Sequence, residues 1–157
     1  CGLDNEYGVN APFYNMEDGS VMTVFRYKEQ HQSYPGRVHG GMITAMLDEM
    51  GLRSLWAKEL SEETFGVTIS LDTKYRKPVP YETELIGRGV VVKNTSHFII
   101  TDSYIMDKDG EILANGRIKY IKMDTQKIQE GVEVHEEMPY LVEDGRTEIE
   151  GPFFDNL

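Results

Sequence analysis

His39, Gly40 and Gly41 precede a carboxylate, Asp48, that lies in RVHGGMITAMLDEMGLRSLW, Arg37 to Trp56, among Met, Leu and Ala. A carboxylate in such surroundings needs either a partner or a chemical role. On a helix it faces the same way as Ala45, Leu52 and Leu55, with Thr44 one turn earlier, and no Lys or Arg stands three or four positions away. Such a group can activate water or act as a nucleophile. Gly40 and Gly41 read as turn glycines, as donors to an oxyanion, or as both, because the same bare backbone serves either purpose. If the helix starts near Gly41, its first amides lack intrahelical partners and favour a negative group. His39 either caps the helix start or fixes the loop and polarises a bound carbonyl. Glu49 has Arg53 four residues on, in the order that suits a helix ion pair, so it reads as structural.

These residues need a scaffold. The helix is expected from about Gly41 to Leu60, with apolar residues on most of its sides and therefore buried on most of them. Ahead of it come a turn-rich start with an extended piece at Val9–Met16, a first strand from Val21 to Glu29, and a loop, HQSYPGRV, broken by Pro35-Gly36. Strands are expected after it at Thr64–Lys77, Glu82–Lys93, His97–Met106 and Glu111–Met123, the last two joined through Asp107-Lys108-Asp109-Gly110. In the first of these Val67, Ile69 and Leu71 alternate with Thr68, Ser70 and Asp72, and Thr68 reads as a solvent-facing threonine or a site residue. Gly87 and Gly89 suggest a bulge or sharp curvature. The fold class is α+β, with a curved antiparallel sheet that wraps one long central helix. Residues 1–123 form the domain, and the acidic stretch 124–157 is an accessory segment in which Met138 to Val142 could add a strand and Phe153 and Phe154 could dock. Sheet edges and a second helix face still need cover, which points to a homodimer or a tetramer of two dimers.

Composition narrows the function classes. The net charge of −11 argues against nucleic acid and anionic membrane as partners. The single cysteine, Cys1, excludes an intrachain disulfide and points to a reducing, cytoplasmic compartment. The chain begins without Met, as expected where N-terminal sequence has been removed; it shows no secretory-type segment and no run of 18 apolar residues. With no H-x-x-x-H and no Cys pair, no metal is expected, and without a Gly-rich phosphate loop neither ATP nor a dinucleotide is.

The segments HQSYPGRVHGGMITAMLDEMG, GVTISLDTKYRKPV and DGEILANGRIKYI, with the CGLDNEYG opening, resemble the PaaI-like hotdog-fold thioesterases over Cys1 to Met123. The resemblance implies hydrolysis of a coenzyme A or acyl-carrier-protein thioester without a cofactor. It matches Gly40 to the amide that holds the acyl oxygen, Asp48 to the helix carboxylate, and Thr68 to a water-holding residue contributed by the partner subunit. Ser33 occupies the position six before the His where the family often has Asn or Gln; Gln32 is adjacent. Lys93, Asn94, Thr95 and Ser96 form the hairpin expected to meet the coenzyme A moiety. Met42, Met46 and Met50 line a flexible apolar pocket or pack the core. A non-catalytic acyl-CoA binder and a hydratase or dehydratase on acyl thioesters are the alternative functions.

Overall fold

The computed structural model describes residues 5–58, 64–124 and 144–149. Asp18 accepts from both the backbone and the hydroxyl of Ser20 and thereby closes a turn. That turn joins β1 (Tyr14–Asn15) to β2 (Val21–Phe25). Helix α1 spans Gly40–Lys58. Strands β3 (Thr64–Tyr75), β4 (Leu85–Asn94), β5 (Phe98–Met106) and β6 (Ile112–Asp124) follow. β2 is shorter than the alternation suggested, because Lys28 leads into a 3-10 turn at Glu29–His31.

All pairings are antiparallel, and the strand order is β1-β2-β4-β5-β6-β3. This corrects one expectation. The fold is α+β with one long helix, but the sheet neither closes nor wraps the helix. The order is linear, β1 and β3 remain separate edges, and α1 lies against one face, chiefly over β4 and β5. Gly41 and Ala45 on the helix stay exposed. An apolar helix surface showed that much of α1 would be buried, but could not show that a sheet would do all of the burying.

The helix sits close to the sheet because two glycines admit it. A Cβ on Gly89 would overlap the carbonyl of Met50, and one on Gly87 would overlap the Met50 sulfur and Thr23. These glycines therefore mark close backbone approach rather than the expected bulge, which falls later, between Val91 and Lys93. Leu47 and Met50 are fully buried and pack in a core with Phe25, Leu85, Ile105 and Ala114. Met46 is buried in the same core and Met42 packs against it, so these methionines are packing residues.

A second irregularity sets the site. β3 and β6 pair regularly except between Thr68 and Ser70, where Ile69 is an extra residue. Before the bulge Gly66 and Thr68 face α1; after it Leu71, Thr73 and Tyr75 do. Simple alternation had placed Leu71 with Val67 and Ile69, which the bulge overturns. Val67 and Ile69 are instead exposed on the edge strand.

The basic residues of the sheet mostly pair across strands. Arg88 meets Asp18, Arg117 meets Asp102, Lys77 meets Glu111 and Arg76 donates to Asn115. Asp144 and Arg146 lie beside β1 and β2, where burial first and then Asp144 push the Tyr14 hydroxyl up to about 12. Met138 to Val142, Phe153 and Phe154 fall outside the described residues.

Candidate active site

One stripe of α1 carries Gly40, Thr44 and Asp48, spaced four residues apart and therefore stacked turn above turn. β3 faces this stripe with hydroxyls. Thr68 Oγ1 donates to both Asp48 carboxylate oxygens, at 2.9 and 3.1 Å. Thr44 Oγ1 lies 3.4 Å from Thr73 Oγ1 and 2.7 Å from the Tyr75 hydroxyl. Tyr75 donates to the Gly40 carbonyl at 3.1 Å. The strand can reach all three helix turns only because the bulge brings both Thr68 and Thr73 to the same side.

Asp48 is half-buried, and among the described residues no cation lies beside its carboxylate. Burial raises its carboxyl above the ordinary range; the Thr68 and Tyr120 hydroxyls pull the other way, and the charge of Glu49 adds to the rise. Tyr120 comes from β6, the neighbour of β3, and donates to the Asp48 backbone carbonyl at 2.8 Å. Glu49 takes the structural part, accepting from Arg53 at 3.0 Å. Arg53 also stacks between Phe13 and Trp56.

The helix start can be accounted for amide by amide. His39 Nδ1 accepts from Gly41 N–H at 2.9 Å, and the His39 carbonyl accepts from Met42 and Ile43. His39 N–H itself donates to the His31 carbonyl. The buried His31 ring ties the loop to the Lys28 amide and the Tyr7 carbonyl. Among the described residues the Gly40 N–H alone of the first-turn amides has no hydrogen-bond partner. At the head of a helix such an unpaired amide points along the axis, where a negative oxygen is favoured.

The expected residues do not all converge. Asp48 and Thr68 meet within one chain, whereas Thr68 was expected from a partner subunit. Gly40 and His39 lie two turns away, about 12 Å at the rise of an α-helix. Thr44, with its bonds to Thr73 and Tyr75, stands between. Ser33 is exposed in the loop, where its N–H donates to the Arg37 carbonyl, and it makes no hydrogen bond to Asp48, Thr68 or Gly40. The hairpin from Lys93 to Ser96 closes on itself: Thr95 Oγ1 accepts from Phe98 N–H, and Ser96 bonds His97. Asn94, Ile99, Tyr120 and Thr68 form one row across β4, β5, β6 and β3. The hairpin thus shares Asp48's end of the sheet but stands three strand spacings, roughly 14 Å, from Thr68. Tyr75, Tyr120 and His31 escaped the sequence reading. The hydroxyls facing α1 become visible as a set only once the bulge is placed.

Residues 35–114 match the family model described as thioesterase superfamily. Among curated proteins, acyl-coenzyme A thioesterase THEM4 of Rattus norvegicus is 26% identical over 127 residues, 80% of this chain and 52% of its own. The chain thus spans about half the length of that relative. Acyl-coenzyme A thioesterase 13 of Homo sapiens is 23% identical over 100 residues, 63% of this chain and 70% of that protein. The fold also matches the crystal structure of a hypothetical thioesterase protein with coenzyme A from Streptococcus pneumoniae TIGR4. That match has a TM-score of 0.64 and 18% identity, and covers 73% of this chain and 89% of the other. Among the described residues no helix is long and apolar enough to cross a membrane.

Proposed function

The chain belongs to the thioesterase superfamily, and from that membership we propose that it hydrolyses acyl thioesters with Asp48 as the general base. The observation that carries this reading is the Asp48 carboxylate itself: half-buried, without a cation among the described residues, raised by burial and pinned by Thr68. A raised carboxyl is a better proton acceptor, which suits a base near neutral pH. The coenzyme A thioester is taken as the substrate because curated relatives are acyl-coenzyme A thioesterases.

In the proposed step Asp48 removes a proton from water while the water oxygen bonds to the thioester carbonyl carbon. The carbonyl electron pair moves onto oxygen, and the free Gly40 N–H receives that charge. Collapse of the adduct breaks the carbon–sulfur bond. The sulfur leaves with the proton that Asp48 took, giving a carboxylic acid and a thiol. Thr68 holds the carboxylate in place, and His39 keeps Gly41 occupied so that Gly40 remains available.

Helix geometry then supports a site built from more than one chain. A base must lie within hydrogen-bond reach of the attacking water, and an oxyanion donor about 3 Å from the acyl oxygen. Asp48 and Gly40 of one chain are about 12 Å apart along the helix axis, and the Gly40 N–H points away from Asp48. One acyl group therefore meets Asp48 and Thr68 of one protomer and Gly40 of its partner, and the working unit is a homodimer. The exposed β3 edge with Val67 and Ile69 is available for that contact. Lys93 to Ser96 is assigned to the nucleotide end of coenzyme A, at the outer end of the hairpin. Free thiol released from a panel of acyl-CoA esters tests the function. Binding of acyl-CoA with no thiol release would instead identify a non-catalytic binder.

A further inference from the structure

We infer that Tyr75 is a positioning residue for the Gly40 amide, holding the first turn of α1 from the edge strand. The inference rests on the hydrolase reading above. Two adjacent glycines open the helix, and its first turn carries no acidic side chain to favour the N-terminus. Glycine loses more backbone freedom in a helix than any other residue, about 1 kcal/mol relative to alanine. Fraying is therefore expected here unless the turn is held from outside, and an oxyanion donor works only if it is fixed before the charge develops.

His39 holds the turn from upstream, through its ring on Gly41 and its carbonyl under Met42 and Ile43. Neither bond touches the downstream side of Gly40. Tyr75 does so in two ways. Its hydroxyl donates to the Gly40 carbonyl at 3.1 Å, and its ring lies beside the Gly40 α-carbon, 3.4 Å from where a Cβ would stand. Because a tyrosine hydroxyl has one proton, the donation to Gly40 fixes the other partner's role. Thr44 must donate to the Tyr75 oxygen, and the chain of hydroxyls runs in one direction, from helix to phenol to the Gly40 carbonyl. The side chain does this while 56% exposed, so core packing does not account for its placement. Its position on β3, seven residues past Thr68, makes each strand serve both sites of the proposed dimer, the base of one and the amide of the other. Thr68 sets the base, and Tyr75 sets the amide.

The test is Tyr75→Phe, which keeps the ring and removes the hydroxyl. Thr73→Val serves as the control, since Thr73 belongs to the same seam and does not reach Gly40. For Tyr75→Phe the expected loss is about 10-fold in kcat with KM within about two-fold, because the donor is used most in the transition state. Hydrogen exchange at the Gly41 and Met42 amides should accelerate in Tyr75→Phe and not in Thr73→Val, with or without substrate. Unchanged kcat and unchanged exchange in Tyr75→Phe would overturn the inference. So would equal losses in both variants, which would mark a general loosening of the seam. Faster exchange in a chain whose wild type releases no thiol would refute the hydrolase reading and, with it, the catalytic meaning of the Tyr75–Gly40 bond.

Discussion

At the residue scale the proposed chemistry depends on Asp48. Replacing it with Asn keeps its size and removes the charge. Turnover should fall about 100-fold or more, measured as thiol release. Burial disfavours the charged carboxylate, so Asp48→Asn should melt no lower than wild type near neutral pH; a marked drop in Tm would mean that the carboxylate is structural. Glu49→Gln is the comparison, since Glu49 is bound to Arg53. Loss of that helix pair should cost only about 0.3–0.5 kcal/mol and leave turnover near wild type. The pH dependence follows from the direction of the Asp48 shift. The folded carboxyl sits above its unfolded value, so the neutral form is the one stabilised by folding. That contribution is present at pH below the unfolded pKa and is lost as pH rises through the folded one. Activity runs the opposite way, because the base must be ionised. The acid limb of kcat/KM should therefore lie above the ordinary carboxylate range. Thr68→Val should move it further up, since the Thr68 hydroxyl is what lowers the carboxyl. An acid limb that ignores Thr68 would separate that limb from Asp48.

At the element scale the lesson concerns irregularities. The helix, the strands and most of their ends were legible in the sequence, because hydrophobic period and turn residues report local structure directly. Asp48 and the glycine pair were singled out by type and spacing, whereas Thr68 was singled out by the family resemblance. The bulge at Ile69 was not legible, since its evidence is a register against β6, more than 50 residues away in sequence. Missing it cost the hydroxyl set of Thr73 and Tyr75 and placed Leu71 on the wrong face. Gly87 and Gly89 were recognised as special, but whether a glycine bends a strand or admits a helix depends on what packs above it. Here Met50 does. Gly89→Ala would drive a methyl group into the Met50 carbonyl, a backbone atom that cannot rotate away. The expected cost is about 2–3 kcal/mol, read from urea unfolding. A neutral result would mean that α1 rides higher over β4.

At the scale of the whole molecule a single chain leaves work undone. Its sheet is open, Gly41 and Ala45 of the helix remain exposed, and Asp48 and Gly40, the proposed base and oxyanion donor, sit two turns apart. A second copy that pairs along β3 and brings its helix alongside would address all three. Composition and apolar patterning suggested an oligomer. Which chain supplies which residue could not be read from the sequence, because strand alternation does not say which helix Thr68 faces, and Thr68 reaches the Asp48 of its own chain.

The most direct measurement mixes two inactive variants. Asp48→Asn lacks the base. Gly40→Pro lacks the N–H at position 40 while keeping a backbone suited to the first helical position. Each should lose about 100-fold in turnover when alone. In a dimer of one chain of each kind, one site has both defects and the other has neither, provided that the base and the donor come from different chains. Half of randomly assorted dimers are mixed, so co-folding equal amounts should restore about a quarter of wild-type thiol release. Activity that stays at the level of the two separate variants would contradict a site shared between chains.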